Sequence, residues 1–172
     1  MLIPFPEAHE VLLRRERKDA EQASRAHGRR KRYRVFFQEI IDRLREDHAF
    51  NNVRVAQPHG WYAFAPGTSG ISFSVSFSWD AFRVEIYIDV GSREEYKRFF
   101  GALHAQADEI QSSIELPICW ERIDERRASR IAIHRDVTID DSDEELAQTR
   151  DCAIENLPIF RALFGPRLAK IV

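Results

Sequence analysis

The sequence predicts an α+β domain: a five-stranded, largely antiparallel sheet with helices mainly on one face, in the order αβββαββα. Three observations carry this expectation. Ile71, Phe73, Val75, Phe77 and Trp79 alternate strictly with Ser72, Ser74, Ser76 and Ser78, and after a tight turn at Asp80-Ala81, Phe82, Val84, Ile86 and Ile88 alternate with Arg83, Glu85, Tyr87 and Asp89. A period of two marks a strand with one buried face, and two such runs across a short turn make a hairpin. Apolar residues recur at spacings of three and four before and after this β region, the mark of helices with one core-facing stripe. Strands grouped at hairpin length beside segregated helices give an antiparallel α+β class.

Each element follows in turn. In residues 1–28, Leu13 is followed by RRERKDAEQASRAHG, which has no large apolar residue. Such a tract suits a solvated helix or a linker, because it has no face to bury. Gly28 is expected to end it, with a single α+β domain over 29–172. A helix from Arg29 to Asp47 carries Tyr33, Phe36, Phe37, Ile40, Ile41 and Leu44, and Asn51-Asn52 breaks the pattern. Trp61–Phe64 reads as a short strand before the turn Ala65–Gly70. The alternating hairpin follows. Ser92-Arg93-Glu94-Glu95 is a capping box, opening a helix with Tyr96, Phe99, Phe100, Leu103, Ala107 and Ile110 inward. Leu116–Trp120 begins a fourth strand, with Cys119 inward, Asp124–Arg127 is a turn, and Ser129–Val137 is a fifth strand. Ser142-Asp143-Glu144-Glu145 is a second capping box. Its helix carries Leu146, Ala153, Leu157, Phe160 and Phe164, with a kink or restart at Pro158 and a stop at Gly165-Pro166.

Composition narrows the function classes. The 172 residues include 12 Phe and 3 Trp, too many apolar rings for a solvated coil. Net charge is -2, so no global field draws nucleic acid or an anionic membrane. The balance is nonetheless uneven. Arg25–Arg34 concentrates basic residues and Asp136–Glu145 acidic ones. Cys119 and Cys152 stand far apart without zinc-ligand spacing. Two lone thiols behind an N-terminus without a leader pattern point to the cytoplasm. No run approaches 18 apolar residues, so no membrane span is expected.

Arg83-Val84-Glu85-Ile86-Tyr87-Ile88-Asp89 stands just before a helix that ends in Asp108-Glu109-Ile110-Gln111. Leu116, Trp120-Glu121-Arg122 and Ser129-Arg130-Ile131 follow. In this order and spacing the chain resembles the bacterial and archaeal family catalogued as domain of unknown function 4268, over about residues 30–168. The resemblance implies a domain often placed C-terminal to parts similar to restriction-type nucleases. It therefore implies a link to DNA restriction or phage defence, without assigned catalytic residues. The nuclease half is expected to be missing from this chain, with the charged first segment standing where longer members have a linker.

The order αβββαβ is also that of restriction-type nuclease cores, which need an Asp and a Glu-x-Lys on adjacent strands to hold a divalent metal and position water. Asp80 and Glu85-Ile86-Tyr87 are the candidates, but Asp80 falls in the turn and uncharged Tyr87 stands where lysine is required. Asp136, Asp140, Asp141 and Asp143 lack the glycine of a calcium loop, and helix capping accounts for most of them. The six histidines (9, 27, 48, 59, 104 and 134) are scattered, and no nucleophile elbow or phosphate loop is present. No cofactor or metal is expected.

Two surfaces remain. Arg29, Arg30 and Lys31 in the basic tract could touch phosphates. On the sheet, helices covering the apolar face would leave the serines, Arg83, Glu85 and Tyr87 in a row, extended by Arg130 and His134 if the strand order allows. The expected role is a non-catalytic recognition or assembly module tied to DNA restriction or phage defence, contacting nucleic acid, a partner nuclease domain or a second copy of itself. The alternatives are a divergent metal-dependent nuclease using Asp80 and Glu85, and a structural dimerisation domain joined through residues 1–28.

Overall fold

The structure, a computed structural model, describes residues 6–47, 55–64, 70–125 and 128–171. His48, the break at Asn51-Asn52, most of the turn before Gly70 and Arg126-Arg127 lie outside them. The elements are α1 (Pro6–Asp47), β1 (Trp61–Phe64), β2 (Ile71–Phe77), β3 (Phe82–Ile88), α2 (Arg93–His104), α3 (Ala107–Gln111), β4 (Cys119–Glu121), β5 (Ser129–Arg135) and α4 (Asp143–Ile171). The five strands form one open sheet in the order β1-β2-β3-β5-β4, every pairing antiparallel.

Alternation decides which face is covered. Phe73, Val75, Val84, Ile86, Ile131 and Ile133 share one face and are buried with Tyr96 and Leu103 of α2, and with Ala153, Leu157, Phe160 and Phe164 of α4. Phe36, Phe37, Ile40, Ile41 and Leu44 of α1 complete this core, each at most 1% exposed. Burying one such side chain contributes about 1.5–3 kcal/mol. Both capping boxes form: Ser92 with Glu95 opens α2, and Ser142 with Glu145 opens α4.

The structure corrects several local expectations. The α1 helix does not end at Gly28 but runs straight through it. One exposed glycine costs a helix only about 1 kcal/mol, and its neighbours are good helix formers. Residues 10–31 are exposed throughout, so this half of α1 is a solvated extension. The α4 helix passes both Pro158 and Gly165-Pro166. Each proline costs about 3 kcal/mol, which the burial of Phe160, Phe164 and Leu168 offsets. The helix after Ser92 divides into α2 and α3 at Ala105-Gln106. There the Gln106 amide bonds to the Leu103 carbonyl, the Gln106 side chain donates to the Ala102 carbonyl, and Arg167 Nε of α4 donates to Gln106 Oε1 at 3.0 Å. Cys119 is exposed rather than buried, because β4 is an edge strand and Cys119 lies on the uncovered face opposite Ala132.

Trp79 is the largest correction. Alternation places it in the core, yet it is 98% exposed. Strand β2 ends at Phe77, and the chain reverses through Ser78–Ala81, where the Ser78 amide donates to the Ala81 carbonyl at 2.7 Å. The Ala81 amide in turn donates to Ser78 Oγ at 3.2 Å. A serine–backbone turn thus removes Trp79 from the pleat and leaves its ring at the hairpin tip.

Candidate functional site

The antiparallel registers set the second sheet face as three rows of side chains. Trp61, Ser76, Arg83 and His134 lie in one row, Ala63, Ser74, Glu85, Ala132 and Cys119 in the next, and Ser72, Tyr87, Arg130 and Glu121 in the third. Arg83 and Arg130 therefore stand diagonally on either side of Glu85, a meeting that the strand order β3-β5 makes possible. Of the expected site residues, Arg83, Glu85, Tyr87, Arg130 and His134 all come together here.

Glu85 is the centre. Its Oε1 accepts from Ser74 Oγ at 3.1 Å and Ser76 Oγ at 3.2 Å. Its Oε2 lies 2.7 Å from Arg130 Nε and 3.3 Å from Arg83 Nε. Arg83 Nε also donates to Ser76 Oγ at 3.2 Å. Arg130 Nη1 reaches Glu121 Oε2 at 2.9 Å, and His134 Nε2 is 3.5 Å from the other oxygen of Glu121. The Glu85 side chain is only 7% exposed and the two arginines 17% each. The expected solvent face is therefore largely closed at its centre, because long side chains from neighbouring strands lie over the short serines. Glu85 Oε2, Arg130 Nε and His134 Nε2 are buried atoms whose close ionic neighbours are not in line for a hydrogen bond.

Beside this network is a concavity of about 480 Å³, walled by Trp61, Arg83 and Tyr87 over a floor of Ser72, Ser74 and Ser76. Small floor residues between large rims account for the hollow. Trp61, 58% exposed, is backed by the His59 ring at 6.1 Å and an interplanar angle of 15°.

The basic tract divides in two. Arg29 pairs with Asp140, and Arg32 donates to the Asp141 carbonyl at 3.0 Å. The hydrogen bond and charge of Asp140 raise the Arg29 pKa further. The acidic tract is thus spent on α1 and on its own turn, where Asp141 accepts from the Thr138 amide at 2.6 Å. Arg30, Lys31 and Arg34 face elsewhere. With His27 they line a second concavity of about 630 Å³ against Val55–Pro58. No carboxylate partner stands beside Arg30, Lys31 or Arg34 among the described residues. The segment Val55–Trp61 joins the two concavities: it walls the basic one and then supplies His59 and Trp61 to the sheet. Tyr33 ties α1 to this junction, 5.7 Å from the Phe77 ring and against Gly60. Burial pushes the Tyr33 phenol up.

Asp80 and Glu85 are not brought together. Asp80 sits in the β2–β3 turn, accepting from Ser78 Oγ at 3.3 Å. Glu85 stands about 10 Å along β3 from its first residue, at ~3.3 Å per residue. Among the described residues no group of three or more His, Cys, Asp or Glu could hold a metal ion, and no helix is long and apolar enough to cross a membrane. Trp61 is the site residue that sequence reasoning missed, and the exposure of Trp79 at the hairpin tip is a local misreading outside the site. The Ser78 turn chemistry was the available signal for Trp79, whereas nothing local marked Trp61 as a rim residue.

A family model matches residues 32–168, and its description is a domain of unknown function (DUF4268). No curated protein and no solved structure matches the chain.

Proposed function

The chain belongs to the family described as a domain of unknown function (DUF4268), and on that premise we propose that it is a non-catalytic recognition module that binds nucleic acid. The system it serves is DNA restriction or phage defence, as the resemblance implies, with a nuclease domain as a further partner. The observation that carries the reading is the chain segment Val55–Trp61, which borders both concavities. Cations on α1 with no carboxylate partner among the described residues (Arg30, Lys31 and Arg34) border Val55–Pro58, and the same segment runs on to an exposed tryptophan beside an array of polar side chains on the uncovered sheet face. Clustered free cations attract phosphate, and burying no counter-charge leaves that attraction intact. Arg29 does not contribute, because Asp140 already neutralises it.

Fluorescence anisotropy with labelled duplex and single-stranded DNA, at low and moderate salt and with or without Mg²⁺, tests this. Salt-sensitive binding with intact DNA, weakened in Arg30→Glu/Lys31→Glu/Arg34→Glu, is expected. Absence of binding at any salt would refute it and leave a protein partner. Cutting that needs Mg²⁺ and is lost in Glu85→Ala would replace it by the nuclease.

One observation favours a second reading. Val11, Leu12 and Leu13 are 56%, 56% and 40% exposed on the solvated half of α1, and apolar side chains on an unpacked helix suit a second copy of the chain. In that case the protein keeps a dimer mass on dilution and loses it when residues 1–28 are removed.

A further inference from the structure

We infer that the site takes unpaired bases of a single nucleic-acid strand, with one base stacked on Trp61 and the backbone running toward Arg30, Lys31 and Arg34. This deepens the nucleic-acid reading above and rests on it.

Shape is the first argument. A duplex shows its base edges inside grooves, and the major groove is read by a projecting helix or β-ribbon. The sheet face here is recessed: the serine floor lies below the rims formed by Trp61, Arg83 and Tyr87. A hollow cannot enter a groove, but it can receive a base that leaves its own strand. Its volume of about 480 Å³ falls in the range of small-ligand sites, which suits a base with its sugar.

The second argument is the state of Trp61. A tryptophan more than half exposed on an edge strand contributes little to the core. Its ring is nevertheless held on one side by His59, parallel within 15°. A ring supported on one side and open on the other is a stacking platform. Any unpaired base offers a π-face to such a platform, without regard to sequence.

Charge placement is the third argument. A strand laid on the sheet needs its phosphates where cations are free. Arg83 and Arg130 are already committed to Glu85 and Glu121. Arg30, Lys31 and Arg34 of α1, without a carboxylate partner among the described residues, lie against Val55–Pro58, the segment that runs on to His59 and Trp61. Bases and backbone thus have separate, adjoining places.

The experiment uses the full chain with a labelled mixed-sequence strand as DNA, the same strand as RNA, and the blunt DNA duplex, each titrated against wild type, Trp61→Ala and Trp61→Phe. Single strands are expected to bind more tightly than the duplex. Trp61→Ala should weaken single-strand binding roughly fivefold or more while leaving duplex binding unchanged, with Trp61→Phe in between. A Trp61-dependent preference for either DNA or RNA supports the inference and identifies the sugar. Duplex binding as tight as single-strand binding, with Trp61→Ala silent, overturns the inference while the nucleic-acid reading stands. No binding to any of the three overturns both. Trp61 is on the surface of an edge strand, and unchanged circular dichroism of the variants confirms that the fold is not what is being measured.

Discussion

Removing the Glu85 carboxylate by Glu85→Ala should destabilise the domain by about 3 kcal/mol. In the folded protein Glu85 accepts from two serines and faces two guanidiniums, 2.7 Å from Arg130 Nε and 3.3 Å from Arg83 Nε. Breaking a buried charge pair by deleting one partner typically costs 3–5 kcal/mol, because the other charge is left without compensation. The lower end applies here, since Arg130 keeps Glu121, Arg83 keeps Ser76, and water can enter from the open concavity. For a chain of this size each 1 kcal/mol lowers Tm by roughly 2–4 °C, so the expected fall is about 6–12 °C. Thermal unfolding by circular dichroism, with urea midpoints at 25 °C, reads it. The companion variant Arg83→Met/Glu85→Leu/Arg130→Met removes all three charges and fills the space with apolar atoms. Replacing a whole buried ionic cluster is often neutral or stabilising, so this variant should unfold within a few degrees of wild type. It should weaken oligonucleotide binding without abolishing it, because the polar surface is gone while Trp61 and the α1 cations remain. A loss below about 1 kcal/mol in Glu85→Ala would show that the charges are individually hydrated. A triple variant as unstable as the single one would equally refute the reasoning.

Further outcomes follow from single observations. Gly28→Ala should raise stability by up to about 1 kcal/mol by thermal melt, because a Cβ there meets nothing within 4 Å and the helix is continuous. Gly70→Ala should do the opposite, by about 1–3 kcal/mol or more, since φ is +78° and a Cβ would lie 2.6 Å from the Asp89 carbonyl oxygen. Trp79→Ser should leave Tm unchanged within about 0.5 kcal/mol, because the ring touches little of the core, and should remove a red-shifted, readily quenched part of the tryptophan emission. Burial raises the Cys152 thiol pKa, against smaller opposing effects of Arg135 and Asn156. The folded state then holds that proton where the unfolded state has lost it. This contribution is therefore complete below the ordinary thiol range and declines as pH rises through it, a decline that Cys152→Ala should lessen in pH-dependent melts. Thiol reagents under native conditions should modify exposed Cys119 and reach Cys152 only on unfolding.

Much of this molecule was determined by its sequence alone. Strict alternation from Ile71 and from Phe82 requires a hairpin with one apolar and one polar face, because successive side chains of a strand point to opposite sides. The two capping boxes set where α2 and α4 begin, since serine and glutamate three residues apart satisfy the first amides whatever the helix packs against. Local patterns thus placed Arg83, Glu85 and Tyr87 on one face before any partner strand was known. Tertiary structure decided the rest. Only the order β3-β5-β4 brings Arg130 beside Glu85 and Glu121 beside His134, because pairing between strands distant in sequence depends on how the whole sheet closes. Prolines 158 and 166 read locally as interruptions, yet α4 continues, because the aromatic rings it buries outweigh two missing amides. The basic tract reads as one patch, but folding sets Asp140 against Arg29 and, among the described residues, gives Arg30, Lys31 and Arg34 no carboxylate partner. Charge in sequence is a sum, whereas a charge available for binding is what remains after the fold has paired its own.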